Sequence, residues 1–121
     1  MDVSVTPDGD GRFIVTCPEE MQWKAREDLL NALVRASAGA AVRGVILDMG
    51  RVASISSAGL GGIFMLRKHV VSLGGHVVVA RPSISIQRLL KTINLEALMP
   101  VVASLDEARR WLTDAANTES A

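Results

Sequence analysis

Two short apolar runs, Val45-Ile46-Leu47 and Val77-Val78-Val79, constrain this chain more than any other feature in it. Neither alternates apolar with polar residues, so each reads as a strand covered on both faces rather than a half-buried one. Between them, Gly59 through Leu73 switches to helical spacing, and Gly74-Gly75 then breaks the chain. A strand, a helix and a second buried strand in that order predict parallel pairing through a right-handed crossover. The expected fold class is therefore α/β.

The flanking segments fill in the architecture. Asp8-Gly9-Asp10-Gly11 is dense in residues that accept a positive φ, and it separates Val3 to Thr6 from Phe13 to Cys17, which predicts an N-terminal two-stranded hairpin. Pro18 stops the second strand. From about Glu19 to Ser37, Leu29, Leu30, Leu33 and Val34 gather on one helical face, with Arg26, Glu27, Asp28 and Arg35 mostly turned to water. After the His76 to Ala80 strand, Ile86, Leu89, Leu90 and Ile93 have the spacing of a third amphipathic helix, beginning just past Pro82 and Ser83. Asn94 to Met99 reads as a linking turn and Val101-Val102 as a short edge strand. Ser104 with Glu107 reads as a capping box for a last helix carrying Leu105, Ala108, Trp111 and Leu112. The sum is one domain over residues 1–113, with about four helices on a mixed, mostly parallel sheet, and a tail over 114–121 expected to fray.

Composition excludes several functions. Thirteen basic and 13 acidic residues give a formal charge of zero, so the field that draws in phosphate backbones or anionic lipid is missing, and no nucleic acid is expected as partner. Apolar runs are too short to cross a bilayer, so no membrane is expected either. The start Met1-Asp2-Val3-Ser4 lacks the basic flank and apolar stretch of a signal peptide, and the single cysteine, Cys17, can form no intrachain disulfide. A reducing cytoplasmic setting follows as the expectation, with Cys17 as inert packing.

Catalytic machinery is thin. His69 and His76 are the only histidines, and no H-x-x-x-H or C-x-x-C spacing offers a metal site. Gly59-Leu60-Gly61-Gly62 fails the phosphate-cradling pattern at its last glycine and is not followed by Lys-Ser/Thr, so its glycines read as close packing of a helix start. No cofactor is expected. Ile55-Ser56-Ser57-Ala58-Gly59 lacks the leading glycine of a nucleophile elbow, and no acid-then-histidine pair follows it, which leaves an unactivated serine and argues against an enzyme. What remains is a serine pair where a buried strand passes through a loop into a helix. One hydroxyl can cap that helix, contributing about 1 kcal/mol. The functional reading is that one of the two is a modification site, because a phosphate adding about −1.5 to −2 charges there would sit near the positive end of the helix dipole.

The pattern from Val3 to Leu112 resembles a STAS domain of the anti-sigma factor antagonist family. The resemblance is carried by the hairpin start, Val45-Ile46-Leu47-Asp48, the Ser57-x-Gly59-Leu60-Gly61 helix entry, Gly74-Gly75 before the Val-rich strand, and the Ile86 to Asn94 helix. It implies a phosphoacceptor at Ser57, the serine directly before x-Gly-Leu, with Ser56 as the alternative. It also implies a partner: an anti-sigma factor that is itself a serine/threonine kinase of the GHKL-type ATPase class. That partner would bind the unphosphorylated chain and release its sigma factor, and phosphorylation would break the complex. Family members commonly carry an aspartate before the phosphoserine, where this chain has Ser56, and another before the first helix, where it has Met21.

The expected interface comprises Glu19, Glu20, Met21 and Trp23 together with Ser54, Ser56, Ser57, Ala58, Gly59 and Leu60. Trp23 can be a core lid or a binding anchor, with the lid slightly favoured. A second reading keeps the fold but makes the chain a constitutive accessory or scaffold subunit, as in a lipid-transport ABC system or a stressosome. A small serine hydrolase is the third. Monomer and weak dimer both stay open.

Overall fold

Along the central strands, neighbouring side chains point to opposite sides of the sheet and helices cover both sides, which is why the two apolar runs are continuous. The computed structural model describes residues 3–120. Met1, Asp2 and Ala121, at the limits of the expected domain and tail, lie outside the described residues. The main sheet holds β1 (Ser4–Pro7), β2 (Arg12–Thr16), β4 (Gly44–Asp48), β6 (His76–Ala80) and β7 (Val101–Val102), in the order β1-β2-β4-β6-β7. β1 and β2 form the antiparallel hairpin, and every later pairing is parallel. The α/β class and the mixed, mostly parallel sheet thus stand as expected.

Helices α1 (Trp23–Ser37) and α2 (Ser57–Ser72) pack on one face of this sheet and α4 (Leu105–Ser120) on the other. Val45, Leu47, Val77 and Val79 join Leu29, Leu33, Ile63, Leu66 and Val70 in the larger core cluster. Ile46 and Val78 turn the other way, onto Ala108 and Leu112 of α4. Helix α3 (Ile84–Thr92) adds Ile86 and Leu90 to the larger cluster, and a short 3-10 turn (Leu95–Ala97) leads on to β7. Ser104 does cap α4, accepting from the Glu107 N–H at 3.1 Å. Glu107 reaches back one residue further than a capping box requires, to the Ala103 N–H.

Several boundaries differ from the sequence reading. The first helix starts at Trp23 rather than near Glu19, because Glu20–Met21 forms a two-residue strand, β3, parallel to β5 (Ser54–Ile55). On α1 the buried residues are Ala25, Leu29 and Leu33, whereas Val34 is 47% exposed. The stripe that meets α2 is thus one position narrower than the apolar spacing implied. Helix α4 runs on through Ser120, where fraying was expected beyond Asp114. Ala115 and Ala116 are strong helix formers, and the Thr113 and Thr118 hydroxyls donate to carbonyls four residues back.

Candidate functional site

Each of α1, α2 and α3 begins at the pole of the molecule where the parallel strands end, because each helix returns antiparallel to the strand before it. Ser57 is the first residue of α2 and lies at this pole. The chain reaches it from β4 through a loop tied at both ends. At the near end the Met49 N–H donates to Ala80 O, and at the far end the Ala53 and Ser54 N–H groups both donate to Glu19 O. The β3–β5 pair then delivers Ser56 to the helix entrance.

The two serines have separate roles. Ser56 is the N-cap, with extended backbone, and its Oγ accepts from the Gly59 N–H at 3.2 Å while donating to Met21 O at 3.3 Å. Its N–H donates to the same Met21 carbonyl at 2.8 Å. Ser56 is therefore fully committed to fastening α2 onto β3. Ser57, one residue on, is exposed, and no side-chain hydrogen bond holds it among the described residues. No acidic residue stands in the first turn of α2, so a negative group added at Ser57 would meet the positive end of the helix without a neighbouring carboxylate in that turn.

Close packing explains the glycines. A Cβ on Gly59 would overlap the Met21 carbonyl oxygen, and one on Gly62 would lie 2.7 Å from Arg26 Cα. Helix α2 thus presses its backbone onto β3 and α1, and this contact sets the height of Ser57 relative to α1.

Not every residue expected at the interface reaches the surface. Met21 is fully buried and contributes its carbonyl instead of its side chain, and Gly59 is buried against it. Both are corrected from contact residues to supports, since a two-residue strand wedged between α1 and α2 leaves them no solvent-facing side. Glu19, Glu20, Ser54 and Ser57 are exposed, while Ser56, Ala58 and Leu60 are half-buried. Trp23 is 65% exposed at the first position of α1, which overturns the lid reading. Ile84, 69% exposed at the first position of α3 on the same pole, escaped the sequence reading, because an isoleucine at a helix start gives no sign of whether it faces in or out.

An ion pair with one buried partner was also missed. Asp48, at the end of β4, is the one buried charged residue among those described, and Arg81 grips it with Nε to Oδ1 at 2.9 Å and Nη2 to Oδ2 at 3.0 Å. The hydrogen bond and the charge of Asp48 together raise the Arg81 pKa above its usual value. Cys17 is buried beneath, and desolvation, with a smaller contribution from the Asp48 charge, pushes its thiol up to about 12. Neither histidine lies within hydrogen-bonding distance of the serines. His76 opens β6 with its ring edge-on to Trp111, centroids 5.6 Å apart. Among the described residues no group of three or more histidine, cysteine or acidic side chains could hold a metal ion, and no helix is long and apolar enough to cross a membrane.

The model of the STAS domain matches residues 4–108. The chain belongs to the STAS domain family. Among solved STAS-like structures, the anti-sigma factor antagonist SpoIIAA in its unphosphorylated form is 16% identical, with a TM-score of 0.77 over 93% of this chain and 96% of that one. A Bacillus SpoIIAA structure in the phosphorylated form is 16% identical, with a TM-score of 0.70 over 91% and 98%. A sulfate transporter family protein from Wolinella succinogenes is 17% identical, with a TM-score of 0.75 over 89% of each chain. At these identities the likeness is one of fold, and the STAS fold evidently serves both regulators and transporters. No curated protein matches the chain by sequence.

Proposed function

We propose that this STAS domain is a phosphorylation-switched binding module, an anti-sigma factor antagonist whose switch is Ser57. The observation that carries this reading is the division of labour between the serines: Ser56 is consumed by capping, and Ser57 stands exposed and unbonded at the first position of α2. An exposed hydroxyl can enter a kinase, and a dianion at a helix N-terminus is favourable to the fold. A partner packed over the same spot would have to strip water from that dianion, a desolvation cost of several kcal/mol that opposes the complex.

The partner in this reading is a serine/threonine-kinase anti-sigma factor of the GHKL type, bound in the cytoplasm through Glu19, Glu20, Trp23, Ser54, Ser56, Ser57, Ala58 and Leu60. The domain itself performs no catalysis. Incubation with such a kinase and ATP, followed by mass spectrometry, is expected to place phosphate on Ser57. Phosphate on neither Ser57 nor Ser56 removes the basis of the proposal. Ser57→Asp is expected to weaken kinase binding by at least tenfold with the fold intact, and unchanged affinity counts against the switch.

One observation favours a second reading, a constitutive accessory subunit. The place where the family commonly has an aspartate is held by Ser56, whose hydroxyl is spent on Met21 and Gly59 and offers no carboxylate to a kinase. Co-purification with a transporter ATPase subunit in place of a histidine-kinase-like ATPase would select this alternative.

A further inference from the structure

The loop between β4 and Ser57 carries a fastening that the proposed switch does not by itself require. Arg81 is in the left-handed region, with φ of 61°, a conformation that side chains other than glycine, asparagine and aspartate seldom adopt. Its backbone is held there by an N–H bond to Val102 O at 3.0 Å. The bend turns the side chain back over β4. There the guanidinium forms its two bonds with the Asp48 carboxylate and lies close against Gly50, where a Cβ would fall 2.8 Å from Arg81 Cζ and overlap Nη2. Asp48 Oδ1 also accepts the Gly50 N–H at 3.0 Å, so one carboxylate collects donors from the loop and from Arg81 together.

We propose that Arg81 is a positioning residue for Ser57, clamping the first half of the 49–56 loop through Asp48 and Gly50 so that the β3–β5 contact can hold the second half in register. This rests on the reading of Ser57 as the switch and adds a means by which the β6–α3 loop controls it. The far-end bonds to Glu19 O and Met21 O fix only where the loop arrives. At its departure from the sheet the backbone is tied by the Met49 N–H to Ala80 O, and the side-chain hold on the loop comes from Asp48, whose side chain is 9% exposed, and from Arg81, which is 47% exposed and thus within reach of a partner docked on that pole. Arginine is required over lysine because only a planar fork can span both carboxylate oxygens while covering a glycine backbone.

The test compares Arg81→Gln, Arg81→Lys and the unaltered chain by amide hydrogen exchange and 1H–15N spectra. In Arg81→Gln the amides of Gly50, Val52, Ser56 and Gly59 are expected to exchange at least tenfold faster relative to those of Val45–Leu47 and Val77–Val79, and Arg81→Lys is expected to recover part of that protection. A change spread evenly over loop and core strands would mean that Arg81 serves stability alone and would overturn the proposal. Unaltered loop protection would overturn it as well. A kinase arm separates this inference from the reading beneath it. Where the unaltered chain accepts phosphate on Ser57, Arg81→Gln is expected to lower its rate of incorporation about tenfold, and an unchanged rate refutes control by Arg81. Failure of the unaltered chain to accept phosphate refutes the switch, while the exchange data still decide the positioning.

Discussion

Gly62 offers the sharpest check on how α2 is seated, because a single methyl group should act there in the opposite sense to its effect one residue earlier. A Cβ built on Gly62 lies 2.7 Å from Arg26 Cα and 3.3 Å from both Arg26 O and Leu29 Cδ1. Carbon atoms in contact prefer about 3.5–4.0 Å, so α1 and α2 would have to part by roughly 1 Å. The nearest obstructing atom, Arg26 Cα, is main chain, as is Arg26 O, and no rotamer change relieves them. Overpacking of this kind costs about 1–3 kcal/mol, against which alanine returns nearly 1 kcal/mol of helix propensity over glycine. Gly62→Ala is therefore expected to destabilise the protein by up to about 2 kcal/mol. At Gly61 the same Cβ meets only Arg26 Nε, at 3.9 Å, the far end of a flexible side chain. Gly61→Ala should accordingly stabilise by up to about 1 kcal/mol. Urea unfolding followed by circular dichroism measures both, with equal m-values confirming that only stability has changed. If Gly62→Ala proves as stable as Gly61→Ala, the close approach of the two helices, and with it the seating of Ser57 beside α1, is wrong.

Two further predictions follow from the site. Ser56→Ala should cost about 0.5–2 kcal/mol by loss of the cap, whereas Ser57→Ala should leave stability within about 0.5 kcal/mol of the unaltered chain; a larger loss at Ser57 in chemical denaturation would mean that its hydroxyl is structural. Cys17, fully buried with its thiol pushed up to about 12, should resist a thiol reagent such as dithionitrobenzoate at pH 8 until denaturant is added. Because the folded pKa lies above the usual 9.0, the unfolded state loses its proton first, so this group's contribution to stability is intact below pH 9 and is lost as pH rises toward 12. Cys17→Ala should flatten that part of the stability profile, and an unchanged alkaline slope would contradict the assignment.

How much of this could be read in advance depended on how local each signal was. The doubly covered strands were legible because Val45-Ile46-Leu47 and Val77-Val78-Val79 have no polar alternation to spare for a solvated face. The hairpin was legible from Asp8-Gly9-Asp10-Gly11, and α4's start from Ser104 and Glu107. The β3 strand was not, since its two residues look like the first turn of a helix until Ser54–Ile55, more than thirty residues later, comes alongside. Met21 was misjudged for the same reason: burial depends on what folds over it. The serine pair lay in between. A hydroxyl at a helix start was visible in the chain, but which one caps was decided by the reach of Ser56 to the Met21 carbonyl.

The amino-acid order on its own thus determined the class of fold, the order of the four helices and of the five strands of the main sheet, and the place of the serine pair, because periodicity, turn residues and caps act over a few neighbouring positions. Only the tertiary structure decided that Ser57 is open while Ser56 is engaged, that Trp23 and Ile84 face water, and that Arg81 closes on Asp48. Those outcomes depend on which segments meet across the sheet, and a contact between residues 33 positions apart, such as Arg81 and Asp48, leaves no periodic trace in either stretch of chain.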